Sequence, residues 1–165
     1  MNKHKLTIDK ALDFVYIFLL LFVVGSALVL GAVVAPVVFN SGLYLDNVEL
    51  TRFENGLIMS EIFRRFSNIL SIILLYITIY HTYKYKELLN SVTTIISFVI
   101  FAVSSLLFSF YFTEGVYSFI SKGETWINEH MEIFESFHKA SEIDFMIILF
   151  SALSLSILAL RKRFH

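Results

Sequence analysis

Phe14 through Phe39 is a run of 26 residues without a charged side chain. A helix rises about 1.5 Å per residue, and about 20 mostly apolar residues cross the hydrocarbon of a bilayer. The run is therefore longer than one hydrocarbon thickness and has to tilt or project beyond it. It also exceeds the roughly 7–15 apolar residues of a cleaved signal segment, so it reads as a retained span. Three further uncharged stretches follow: Phe66–Tyr83, Leu88–Thr113 and Phe145–Leu160. With 57% hydrophobic residues, against about 45–50% in soluble domains, the chain reads as one integral membrane domain. The expected fold is all-α, an up-down four-helix bundle with spans at about 12–39, 60–86, 88–119 and 133–161, and an amphipathic outer helix from Trp126 leading into the last span.

Charge sets the expected orientation. Eight of the thirteen Lys/Arg residues, among them Lys10, Lys84, Lys86, Arg161 and Lys162, fall on the side of the termini, whereas eleven of the fourteen acids fall on the other. Positive residues accumulate on the cytoplasmic side of short loops. Both termini are thus expected in the cytoplasm, in a bacterial inner membrane. Tyr76, Tyr80, Tyr83 and Tyr85 cluster at the inner end of span two, where an interfacial aromatic belt is expected.

Two sets of residues are candidates for function. On the second helix, which is expected to start near Gly56, Glu61, Arg64, Arg65, Asn68 and Ser71 recur at three- and four-residue spacings and share a face. Lipid offers such groups no partners, so the ridge is expected to face other helices. At the outer mouth of the last span, Glu135, His138, Ser141 and Glu142 share another face. Glu-x-x-His is half of the pattern used by carboxylate-bridged metal sites in bundles. Glu135, His138 and Glu142 are accordingly candidate ligands for a divalent metal. The alternative is a salt-bridge ladder. Together the two sets would line a polar outward-facing crevice, with Arg64 or Arg65 paired to Glu142 or Asp144. Ala27, Gly31 and Ala35, followed by Pro36, form a small-xxx-small stripe suited to close helix packing. The hydroxyls of Thr94, Ser97, Ser104, Ser105 and Ser109 read as links between helices. His81 or His138 is the residue a haem would use.

The absence of cysteine excludes thiolate metal sites and thiol catalysis. No nucleotide-binding loop, nucleophile elbow, zinc-protease helix or nucleic-acid patch is present.

A Gly25-x5-Gly31-x4-Pro36-x2-Phe39 ending to the first span, IFRRF at the start of the second and His138-x2-Ser141 opening the last together resemble the transmembrane protein 205-like family. The resemblance implies a four-helix membrane protein with no established reaction; one branch is linked to drug or metal-compound resistance. The family's Asn after His-x-x-Ser is replaced here by Ile143-Asp144. Span one is also similar to the four-helix protoporphyrinogen oxidase and copper-resistance membrane families, although the early histidines of the haem-linked family are missing and His4 lies far out on the arm. The leading expectation is a non-enzymatic role in small-molecule or cation handling. The competing one is a haem- or metal-binding redox protein. The expected partners are the lipid bilayer and other membrane proteins or further copies of the chain, with no nucleic acid.

Because the chain has no native thiol, a Lys122→Cys variant tests the orientation. An impermeant maleimide is expected to label it from the outer side of intact cells. Labelling only after the cytoplasm is opened would invert the topology.

Overall fold

The structure, a computed structural model, describes residues 3–44, 50–85 and 91–164. The inner link with Lys86 and the expected boundaries at 86 and 88 lies outside the described residues. So do Asp46 and Glu49 and the side chains of Lys3, Lys5 and Arg163. Among the described residues there are helices and no strands. The first helix, α1, runs Lys3–Val29, passes through a π-turn at Leu30–Val34 and ends as Ala35–Phe39. Helix α2 is Arg52–Tyr83. Helix α3 is Val92–Leu106, a second π-turn at Leu107–Phe112, and Thr113–Ser121. A short α4, Glu124–Glu129, precedes α5, Met131–Phe164. Four of these helices are long and apolar enough to cross a membrane, and only 22–33% of each apolar window is covered by the rest of the protein. A soluble protein does not leave so much apolar surface uncovered. The fold is that of a multi-pass membrane protein.

The helix ends follow from local chemistry. Thr51 Oγ1 accepts from the Glu54 amide at 3.2 Å, and the Thr51 amide donates to Glu54 Oε2 at 2.7 Å. This capping box starts α2 at Arg52, ahead of the expected Gly56, and the turn signal read in Asn55-Gly56 sits inside the helix. At the end of α3, Gly123 takes φ +92°, a left-handed conformation that other residues resist, and its amide closes on Ile120 O at 3.0 Å. The outer amphipathic helix is interrupted at His130 and then continues without a break into the last span.

The four long helices form a ring in which α1 packs on α2, α2 on α3, α3 on α5 and α5 on α1. Helices α2 and α5 are therefore diagonal. Buried positions recur at three and four residues on both members of the α3–α5 pair: Thr94, Ser97, Phe101, Ser104 and Phe108 face Ser141, Asp144, Ile148, Ser151 and Leu155. A repeat of 3.5 residues keeps one seam facing its partner through a left-handed crossing. Small hydroxyl residues on it allow close approach. Ser97 and Ser154 share a hydrogen bond at 3.0 Å, tying the seam toward the start of α3.

The expected Ala27–Gly31–Ala35 packing stripe does not form one face. Ala27 is buried, but Gly31 and Pro36 are exposed and Ala35 only half-buried. The Ala35 amide bonds to Leu30 O, five residues back, so the π-turn adds a residue and rotates everything beyond it. The turn also lies just ahead of Pro36, which has no amide hydrogen of its own.

At the end of the bundle away from the chain termini, the Phe137 ring of α5 rests directly on Gly115 of α3, in the space a Cβ would occupy. Gly115→Val is expected to destabilise the bundle by about 1–3 kcal/mol, the usual cost of overpacking. A Phe137→Ala change in the same chain should recover part of that loss in thermal melts in detergent. A Gly115→Val protein that melts like the parent would contradict this packing.

Candidate functional site

The outer polar residues do not meet. Glu61 is held by its own helix: Oε2 accepts from Arg64 Nε and Oε1 from Arg65 Nε, both at 2.8 Å. Arg64 also lies over the Tyr117 ring at 5.6 Å. Arg65 and Asn68 are exposed on the outside of α2, so the ridge does not face other helices along its length. On α5, His138 Nε2 pairs with Glu142 Oε1 at 3.3 Å, Glu135 approaches Arg52 at 4.0 Å, and Ser141 Oγ donates to His138 O. Between the two sets stand Phe63, Phe66, Phe108 and Phe145, with ring centroids 5.2–6.4 Å apart. In IFRRF the two phenylalanines turn inward and the two arginines outward. A crevice between α2 and α5 would have to run along the diagonal of the bundle, and these rings fill it. Arg64 and Arg65 accordingly pair with Glu61 and not with Glu142 or Asp144. Among the described residues, no three His, Asp or Glu side chains converge as a metal site would require. Glu135 and Glu142 are each drawn to a different partner.

Two polar clusters are built into the interior instead. The first lies at the end where the chain termini meet. Tyr76 donates to Leu12 O at 3.0 Å, Tyr80 to Asp13 Oδ1 at 2.8 Å and Tyr83 to Asp9 Oδ1 at 3.1 Å. Lys84 Nζ sits 3.5 Å from Asp9 Oδ1 and 3.7 Å from Asp13 Oδ1, and its side chain is only 7% exposed. The tyrosines expected as a lipid-facing belt thus include three that clamp α2 to α1. The cause is their spacing: 76, 80 and 83 fall on the α1-facing side, opposite 9, 13 and 16. Tyr16 stacks on Tyr80 with centroids 4.1 Å apart and shares a 3.0 Å hydrogen bond with His81 Nε2. The opposite partner of His81 is Phe98, stacked at 4.0 Å. Its Nε2 is engaged and one face of its ring is covered by Phe98, an arrangement that does not fit axial ligation of a haem. His138, partly exposed and paired with Glu142, does not fit it either.

The second cluster lies in the α3–α5 seam. Asp144 is 6% exposed, among residues that are otherwise hydroxylic or apolar, with the Ser104 hydroxyl beside its carboxyl. Ser104 falls near the middle of the uncharged Leu88–Thr113 stretch, which places this carboxylate within the apolar span. Asp144 Oδ2 and Ser105 Oγ are buried without a hydrogen-bond partner, as is Thr113 Oγ1 farther out. Sequence reasoning grouped Asp144 with Glu142 near the outer interface, as a partner for Arg64 or Arg65. The signal that could have found it is its position in the 141–144–148–151–155 repeat.

The chain belongs to the DUF4149 family, a domain of unknown function whose profile matches residues 18–118. No curated protein and no solved structure matches the chain. The DUF4149 match takes in most of α1, all of α2 and α3 as far as Ser118, hence His81, the aromatic plug from Phe63 to Phe108, and Ser104. Asp9, Asp13 and the whole of α5 lie outside it.

Lys84→Ala would leave Asp9 and Asp13 without the cation between them. The expected loss is about 1–3 kcal/mol, below the 3–5 kcal/mol of a fully buried pair because Asp13 is partly exposed. Tyr80→Phe, which removes one hydroxyl, should cost about 1 kcal/mol. Thermal melting in detergent reads both. Equal, negligible shifts would show that the clamp does not hold the bundle.

Proposed function

We propose that this chain is a bacterial inner-membrane protein, with both termini cytoplasmic, that handles a small cation, holding a proton or a monovalent metal ion at Asp144 within the α3–α5 seam. The observation that carries the reading is the position of Asp144: buried in an apolar span, in no ion pair among the described residues, and with one carboxylate oxygen lacking a partner. A bare carboxylate is costly in such a place, and ionisable groups inside membranes mark ion and proton paths. Ser104 supplies a neutral oxygen suited to a hard cation or to a protonated carboxyl. The likeness of the first span, IFRRF and His138-x2-Ser141 to the transmembrane protein 205-like family agrees with a non-enzymatic role. Glu61, Arg64 and Arg65 then pair with one another on α2, and His138 pairs with Glu142 on α5.

The test is dicyclohexylcarbodiimide, an apolar reagent for carboxylic acids in hydrocarbon. It is expected to modify Asp144 in the purified protein, and Asp144→Asn should abolish that modification without lowering the melting temperature. Protection by sodium or lithium at constant pH identifies a metal ion; protection only on raising the pH identifies a proton. Absence of the adduct, or an adduct indifferent to both, would falsify the reading.

A further inference from the structure

A cavity of about 160 Å³ opens at the terminal end of the bundle, bordered by residues of α1, α2, α3 and α5. It is separate from the Asp144 site and the inference does not depend on that reading. Its polar lining comes from Asp13, Tyr16, Tyr80, Lys84, Thr94 and Lys162, and its apolar wall from Ile17, Leu155 and Leu158. Three features narrow the ligand. The first is depth. Asp13 directly precedes the uncharged Phe14–Phe39 run, Lys84 directly follows Phe66–Tyr83, and Lys162 lies just past Phe145–Leu160. Those positions put the cavity at the level where hydrocarbon gives way to lipid head groups. The second is size. At about 30 Å³ per water it has room for about five waters, far below the roughly 300–1,000 Å³ of drug-sized pockets. The third is charge. Asp9 and Asp13 offset Lys84 and Lys162, so the site offers both signs within one small space and favours neither a lone anion nor a lone cation.

We propose that this cavity binds the phosphoethanolamine head group of a membrane lipid. Lys162 and Lys84 face the phosphate, the Asp13 carboxylate accepts from the primary ammonium, and Thr94 adds a hydroxyl donor. Ile17, Leu155 and Leu158 cover the glycerol end of the lipid, from which the acyl chains continue along the bundle. An ammonium with N–H donors distinguishes this head group from phosphatidylcholine, whose quaternary nitrogen has none, and a positive charge distinguishes it from phosphatidylglycerol.

The experiment is native mass spectrometry of the delipidated full chain with phosphatidylethanolamine, phosphatidylcholine or phosphatidylglycerol of identical acyl chains, together with free phosphoethanolamine. Phosphatidylethanolamine is expected to remain bound after the other two lipids dissociate, and to raise the melting temperature. Free phosphoethanolamine should compete with it, which places recognition in the head group and not in the chains. Lys162→Gln should weaken retention about fivefold, the worth of one basic residue at a charged lipid surface. Asp13→Asn should abolish the preference over phosphatidylcholine. Because Asp13 also accepts from Tyr80, the melting temperature of each lipid-free variant is measured alongside, and retention is compared only between folded proteins. Equal retention of all three lipids, preference for phosphatidylglycerol, or unchanged retention by Lys162→Gln would each overturn the proposal.

Discussion

Hydrocarbon offers no hydrogen-bond partner, and the structure is arranged around that constraint. Most polar side chains inside the spans close on their own helix or meet a neighbour, while Ser105 Oγ, Thr113 Oγ1 and Asp144 Oδ2 are buried without a hydrogen-bond partner. Ser67 donates to Arg64 O, Ser71 to Ser67 O, Thr78 to Leu74 O, Ser151 to Ile147 O and Ser156 to Ala152 O, all at 2.7–2.9 Å. A hydroxyl bonded three or four residues back costs the helix little and leaves its surface effectively small and apolar. Such hydroxyls act as compact fillers. Of the hydroxyls on α3 that read as interhelical links, Ser97 reaches Ser154, Ser109 reaches Ser67 O at 3.4 Å and Ser104 lies beside Asp144, whereas Thr94 bonds to Ser91 of its own helix start.

Given such fillers, the α3–α5 seam can close tightly, and the bulk of the bundle moves elsewhere. Phe63, Phe66, Phe108 and Phe145 fill the diagonal, while Tyr16, Tyr80, His81 and Phe98 stack at the terminal end. Edge-to-face and offset rings at these distances add about 0.5–1.5 kcal/mol per pair beyond the area they bury. The two π-turns are placed where the seam changes character. One rotates the end of α1, which still packs on α2. In the other the Thr113 amide bonds to Phe108 O, five residues back, which shifts the register of α3 before Gly115 meets Phe137.

The class of fold was legible from uncharged runs alone, because a span of Phe14–Phe39 length has few alternatives. The direction in which residues point was not. Spacing put Glu61, Arg64, Arg65 and Asn68 on one face, but spacing does not say which face turns inward. Phe63 and Phe66, interleaved with the arginines, compete for the interior and are the cheaper groups to bury. The Tyr76–Tyr80–Tyr83 series had the same ambiguity, since a belt and a clamp share one periodicity. Only the complementary Asp9–Asp13–Tyr16 series on α1 separates them, and that comparison needs the register of two helices at once. Gly31 and Ala35 failed to join Ala27 for a reason invisible to any fixed period, namely the residue inserted by the π-turn.

These same rules single out Asp144. Its neighbours on α5, Ser141 and Ser151, satisfy their hydroxyls within one turn, an option a carboxylate lacks because it has no hydrogen to donate when ionised. The aspartate also lies one turn outward from Ile148 in the tightest of the helix contacts, where Arg64 and Arg65 are already committed to Glu61. A purely structural role at this position would be met as well by serine, at no electrostatic cost. A charge-capable group in place of that filler is what the proposal of a proton or a small cation at Asp144 rests on. The same constraint closes most other polar groups on their own helices, whereas Asp144 Oδ2, with Ser105 Oγ and Thr113 Oγ1, is left buried without a hydrogen-bond partner.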